Sequence, residues 1–158
     1  MIRLGCVVTV ILGLASIMAP VPVAAQGNGS AVAGAAEAMF PGGATFNGIP
    51  LHGLTLGQGL FIAGDGSATG QFQAVLLGTS LLGAPQDVTV EGEVSSGLLA
   101  VGGSATFSGT ASVDMGDGTL PLLGVPFSVT ASTGSLALIL GATDLPTASV
   151  SAGSTTIE

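Results

Sequence analysis

The sequence has very few residues that carry positive charge or chemical reactivity. Its 158 residues include nine carboxylates but a single cation, Arg3, with one cysteine, Cys6, one histidine, His52, and no Trp or Tyr. Because Lys and Arg supply affinity for the phosphate backbone, this composition argues against nucleic acid as a partner. It argues in the same way against anionic membrane surfaces.

The shortage of His and Cys also limits the chemistry that the chain could carry out. A zinc site needs three or four nitrogen or sulfur donors, and a serine-type triad needs a His base. His52 lies between apolar residues in "GIPLHGLTLG", and no Gly-x-Ser-x-Gly motif accompanies it. We therefore interpret His52 as a polar residue near the start of a strand. We expect no enzymatic activity, no catalytic or metal-binding residue and no cofactor.

Residues 1–25 have the pattern of a secretory signal peptide. Arg3 precedes an apolar run over 4–19, and the small residues Val23 and Ala25 fit the positions before a signal-peptidase cut. The run is shorter than the roughly 20 residues of a bilayer-spanning helix. We therefore expect a protein that starts at Gln26, is secreted to the extracellular space or to a Gram-negative periplasm, and has no integral membrane association after cleavage.

Most of the remaining chain alternates between apolar and polar residues. In "ATFSGTASVDMGDGT", Ala105, Phe107, Ala111 and Val113 fall on one face, and Thr and Ser occupy the other. Seven to eight such segments follow one another with short turns, among them an Asp65-Gly66 hairpin signal. The pattern predicts an all-β fold, either an antiparallel small barrel or a strongly coiled sandwich.

Residues 26–42 lack this alternation and consist largely of Gly and Ala. We expect them to form a flexible lead-in, with "AVAGAAEAMF" as an alternative short helix. Residues 43–158 are then expected to form a single β-domain.

Three glycines fall at inward positions in the middle of predicted strands: Gly70, Gly92 and Gly109. Glycine destabilises a strand interior and packs against nothing, so its repeated use there calls for a structural reason. Because interior glycines let a strand bend sharply, they favour a barrel or a strongly coiled sandwich over a flat sandwich.

Carboxylates are the remaining groups that could act as acids, bases or metal ligands. Glu91 and Glu93 lie two apart on the outward face of one strand, a spacing that would suit the paired carboxylates of a hydrolase, but a solvated surface explains the same spacing. Asp114 and Asp117 surround a tight turn, as in a calcium loop, but the EF-hand spacing and its closing Glu are absent. We interpret them as turn residues.

Three segments, "DGSATGQFQAVLLG", "ATFSGTASVDMGDGT" and "AGSTTIE", give the chain a resemblance to small, uncharacterised β-rich proteins that bacteria secrete. The resemblance covers residues 43–158 and is one of overall pattern. It implies a single extracellular β-domain and brings no catalytic residues with it.

Two functions are compatible with this sequence. The first is a secreted, non-enzymatic β-domain with a structural, adhesive or surface-interaction role, which predicts a filled interior and a protein or surface partner. The alternative is a lipocalin-like carrier of a small apolar ligand, which predicts an apolar cavity of several hundred Å³.

Overall fold

The computed structural model describes residues 29–158, which form ten strands and, within that range, no helix. The strands are β1 (Gly29–Met39), β2 (Thr45–Phe46), β3 (Ile49–Ala63), β4 (Ser67–Gly78), β5 (Val88–Ala100), β6 (Ser104–Asp114), β7 (Leu122–Ala131), β8 (Ser135–Leu140), β9 (Thr143–Asp144) and β10 (Ala148–Ile157). In this part of the chain no helix is long and apolar enough to cross a membrane. The proposed signal peptide over 1–25 lies outside the described residues.

The eight longer strands form a closed antiparallel ring. They follow one another around it in chain order, and β10 returns to pair with β1. The two-residue strands β2 and β9 extend the edges of β3 and β8. The ring is uneven, because β8 and β10 share only the pairs Leu136–Ala148 and Ser135–Ser149. The expected all-β antiparallel fold is therefore confirmed, and of its two expected forms the ring of eight strands corresponds to the barrel.

The expected flexible or helical lead-in over 26–42 is wrong for Gly29–Met39, because these residues form β1. This strand is paired along its length with β3 on one side and with β10 on the other. Val32, Ala36 and Ala38 are buried. Ala and Gly have low strand propensity, but two flanking ladders satisfy the backbone of β1 and decide its conformation.

Apolar side chains from all eight long strands meet in the interior, with three phenylalanines among them. The rings of Phe72 and Phe127 are stacked, with centroids 4.9 Å apart and planes at 19°. Phe107 meets both edge-on, at 5.9 Å from Phe72 and 6.4 Å from Phe127. All three rings are buried. The other apolar side chains that the alternation places inward in β3, β4, β5 and β8 are buried as well: Leu54, Leu56, Leu60, Ile62, Ala68, Ala74, Leu76, Val88, Val90, Val94, Leu136, Leu138 and Leu140.

The interior glycines make room for neighbouring groups. A Cβ on Gly92 would lie 2.6 Å from Cε1 of Phe127, so this glycine accommodates the aromatic ring. A Cβ on Gly109 would collide with the carbonyl oxygen of Glu93, beside the bulge between Val94 and Ser96. Glycine thus combines with bulges to bend the strands around the core.

The last strand departs from strict alternation. The sequence pattern predicts Val150 and Ala152 on the same face, but a bulge adds Ser151, so that Ala38 pairs with Val150 and Glu37 pairs with Ala152. Gly153, which follows this bulge and pairs with Ala36, has a φ of 86°, a conformation that favours glycine. Ala152 is exposed as a result, while Val150 packs against the core.

Replacing Gly92 with Ala should destabilise the protein, because the new methyl group overlaps the ring of Phe127. We expect a loss of about 1–3 kcal/mol in the free energy of unfolding, measured by urea denaturation. Gly57→Ala is the matched control, since a Cβ on Gly57 would meet no atom within 4 Å. It should leave stability unchanged or raise it by up to about 1 kcal/mol. Equal losses at the two glycines would contradict the packing described here.

Candidate functional site

A groove of about 540 Å³ crosses the outer face of β3, β4, β5 and β6. It is lined by Gly57, Gln58, Gly59, Gln71, Phe72, Gln73, Glu91, Gly92, Glu93 and Ser112. Most of these residues are outward positions of their strands. Their side chains, or for a glycine the place where a Cβ would lie, are on the solvent side of the sheet. We call this depression the outer groove.

The register of the four strands aligns the polar residues of the outer groove in two rows. The first row contains Gly59, Gln71, Glu93 and Thr110, and the second contains Gly57, Gln73, Glu91 and Ser112. Side chains directly opposite one another in a sheet lie about 4.5–5.5 Å apart at Cβ, so each row is continuous. Amide, carboxylate and hydroxyl groups therefore form one compact polar patch.

Two glycines give the outer groove its depth. Gly57 and Gly59 are outward positions of β3, where a side chain would otherwise stand beside Gln73 and Gln71. A Cβ built on either would meet no atom within 4 Å. The floor is therefore exposed backbone at the foot of the two Gln side chains, and a ligand could approach it closely.

The groove is electrostatically negative. Glu91 and Glu93 are exposed, and Nε2 of Gln73 donates a hydrogen bond to Oε1 of Glu91 at 3.4 Å. Residues 29–158 contain no Lys or Arg, so no side-chain cation from this part of the chain neutralises the two carboxylates. The groove is thus suited to a ligand that brings hydrogen-bond donors or positive charge.

Gln58 lies between the two floor glycines but faces the interior. Its Nε2 donates to Oγ1 of Thr155 on β10 at 3.3 Å, and its Oε1 is buried without a hydrogen-bond partner among the described residues. Leu56 and Leu60 flank it on the same face, so the amide is an isolated polar group in an apolar layer. Because Gly34 of β1 pairs with both Gln58 and Thr155, this bond joins β3 to β10 over the strand between them.

The other candidate residues lie outside the outer groove. His52 is exposed near the start of β3, as the sequence predicts. Asp114 Oδ1 accepts the Gly116 N–H at 2.9 Å, which is the turn role expected for it. Within residues 29–158, no group of three or more His, Cys, Asp or Glu comes together as metal ligands.

Asp117 also has the turn role that the sequence predicts. Its Oδ1 accepts the hydroxyl of Thr119 at 2.7 Å and the backbone N–H of Thr119 at 2.9 Å. These bonds stabilise the charged carboxylate and lower its pKa, the hydroxyl contributing most. The same arrangement of Asp65 with Ser67 lowers the pKa of Asp65 in the β3–β4 hairpin.

Sequence reasoning found the carboxylates of the groove but missed Gly57, Gly59, Gln71 and Gln73. The missed signal is in "GQG" and "QFQ", where the period-two pattern places the glycines of β3 and the glutamines of β4 on the outward face. The alignment of these residues depends on strand register, which one sequence does not specify here.

No protein-family model matches the chain, and searches of curated proteins and of solved structures found no similar protein.

Replacing Thr119 with Ala should raise the pKa of Asp117 towards its ordinary value, because the strongest donor to the carboxylate is lost. A lowered pKa in the folded state means that the turn is stabilised at neutral pH. That contribution disappears as the pH falls from the ordinary Asp range through the folded pKa. Carboxyl ¹³C NMR titration measures the change, and Asp65 in the same spectra is the control. An unchanged Asp117 titration would contradict the assigned hydrogen bond.

Proposed function

We propose that this chain is a secreted, non-enzymatic β-domain that acts through its outer surface, with the outer groove as its contact site. The observation that carries the proposal is the alignment of Gln and Glu side chains beside a floor of glycine backbone. Such a surface offers many acceptors but no activated nucleophile. It is suited to holding an extended ligand by hydrogen bonds and charge.

The interior favours this role over the lipocalin-like alternative. A carrier of a small apolar ligand needs an apolar cavity of several hundred Å³. In this barrel the rings of Phe72, Phe107 and Phe127 occupy the centre, in mutual contact. The 540 Å³ groove has polar side chains and opens on the outside of the sheet.

The chemistry of the groove favours a ligand rich in donors. Glu91 and Glu93 accept hydrogen bonds and attract cations, whereas Gln71 and Gln73 both donate and accept. An oligosaccharide of glucosamine combines ammonium groups with hydroxyls along an extended chain. We expect ligands of this class to bind across the two rows.

Titration with a glucosamine trisaccharide, followed by ¹⁵N NMR, tests the proposal. Saturable shifts should concentrate on Gly57, Gly59 and the facing residues of β4 and β5. Gly57→Leu fills the groove without backbone strain and should weaken binding about tenfold or more. Glu91→Gln with Glu93→Gln should weaken it similarly, because the charge attraction is lost.

Two variants outside the groove serve as controls. Gly134→Leu adds the same side chain in the open β7–β8 turn, where a Cβ also meets no atom within 4 Å, and Asp144→Asn removes a carboxylate on β9. Both should leave binding unchanged. Shifts spread evenly over all carboxylates, or equal losses in the control variants, would refute the outer groove as the contact site.

A further inference from the structure

One end of the barrel carries a group of exposed leucines, on the loop between β4 and β5 and on the segment where β7 begins. Leu81 and Leu82, in the loop between β4 and β5, are 92% and 96% exposed. Leu120 and Leu123, around the start of β7, are 90% and 80% exposed, with Leu122 half-exposed between them. We call these five residues the leucine end.

The two loops adjoin each other. Strands β4 and β6 run in the same direction on either side of β5, so the loops that follow them leave from the same end of the barrel. Nε2 of Gln86 donates to the carbonyl oxygen of Met115 at 3.1 Å, linking one loop to the other. The leucines therefore belong to one end surface.

The loop backbone holds the first two leucines away from the core. Ser80 N donates to the Ala84 carbonyl at 2.8 Å, Gly83 N donates to the Ser80 carbonyl at 2.9 Å, and Ser80 Oγ accepts the Ala84 N–H at 3.1 Å. These bonds close a tight turn with Leu81 and Leu82 at its tip. The side chains project into solvent from an ordered loop, which is unfavourable unless another apolar phase receives them.

The charges at this end discriminate between the surfaces that could cover it. Asp87, Asp114 and Asp117 lie in or beside the same two loops, and residues 29–158 supply no Lys or Arg. A second copy docked end to end would bring the acidic groups of both copies together, and an anionic bilayer would repel them. A zwitterionic bilayer of phosphatidylcholine carries no net charge, and its outermost choline groups are cationic, so it would not repel these carboxylates.

The shape of the leucine end points to the same partner. Separate side chains that protrude from loop tips need a pocket each on a rigid protein, whereas a fluid hydrocarbon phase surrounds each one without prior complementarity. We propose that the leucine end docks peripherally on a zwitterionic lipid surface. Leu81, Leu82, Leu120 and Leu123 then enter the boundary between headgroups and acyl chains, to a depth of about 5–10 Å.

Cosedimentation with phosphatidylcholine vesicles tests this proposal. The chain is used from Gln26, because all ten strands lie within residues 29–158 and the apolar run over 4–19 would itself bind lipid. We expect saturable binding that falls at least tenfold in Leu81→Ser/Leu82→Ser and, separately, in Leu120→Ser/Leu123→Ser. These positions are exposed, so both variants should fold, which circular dichroism checks.

The opposite end provides the matched control. Leu98 and Val101 are 66% and 108% exposed at the β5–β6 hairpin, and Leu98→Ser/Val101→Ser should bind vesicles as the parent chain does. Adding phosphatidylserine to the vesicles should weaken binding. No binding to phosphatidylcholine, equal loss in the control variant, or tighter binding to anionic vesicles would each overturn the proposal. So would a dimer that Leu81→Ser/Leu82→Ser abolishes while vesicle binding is absent.

Discussion

The pairing of β1 with both β3 and β10 is the contact on which the rest of the structure depends. It joins the first long strand to the last and closes the ring of eight. Residues 29–158 contain no Lys, Arg or Cys, so ion pairs with those cations and disulfides contribute nothing to their stability. The backbone ladder and apolar burial must supply it, and a closed ring satisfies both edges of nearly every strand.

Closure also determines where function can reside. Small residues in β1 let the flanking strands approach closely; a Cβ on Gly34, for example, would collide with the backbone of Ser154. The interior that results is filled by apolar side chains around three phenylalanine rings. Both candidate contact surfaces therefore lie on the outside of the barrel. The polar outer groove is on one face of the sheet, and the leucine end is at one end. The two surfaces differ in polarity and are suited to different partners.

Much of the fold could be predicted from the sequence, because alternation identifies the inward residues of β3 to β8. The Asp65-Gly66 hairpin was predictable for the same local reason, since Gly66 has the positive φ that such a turn requires. β1 could not be predicted this way, because Ala and Gly give a weak period and its conformation comes from two neighbouring ladders. The bulge at Ser151 could not be predicted from the alternation either. The outer groove combines residues from four strands, and its rows exist only once the register is known.

A NOESY spectrum of the chain from Gln26 tests whether β1 and β10 close a barrel around a filled interior. Val32 pairs with Ile157 at a position that does not exchange hydrogen bonds, since the adjacent Ala31 and Glu158 exchange both of theirs. A closed barrel with a filled interior should give a strong Hα–Hα cross-peak between Val32 and Ile157, together with ring-to-ring cross-peaks between Phe72 and Phe127. Absence of the Val32–Ile157 cross-peak in a folded sample, or phenylalanine rings that contact a bound apolar molecule and not each other, would contradict it.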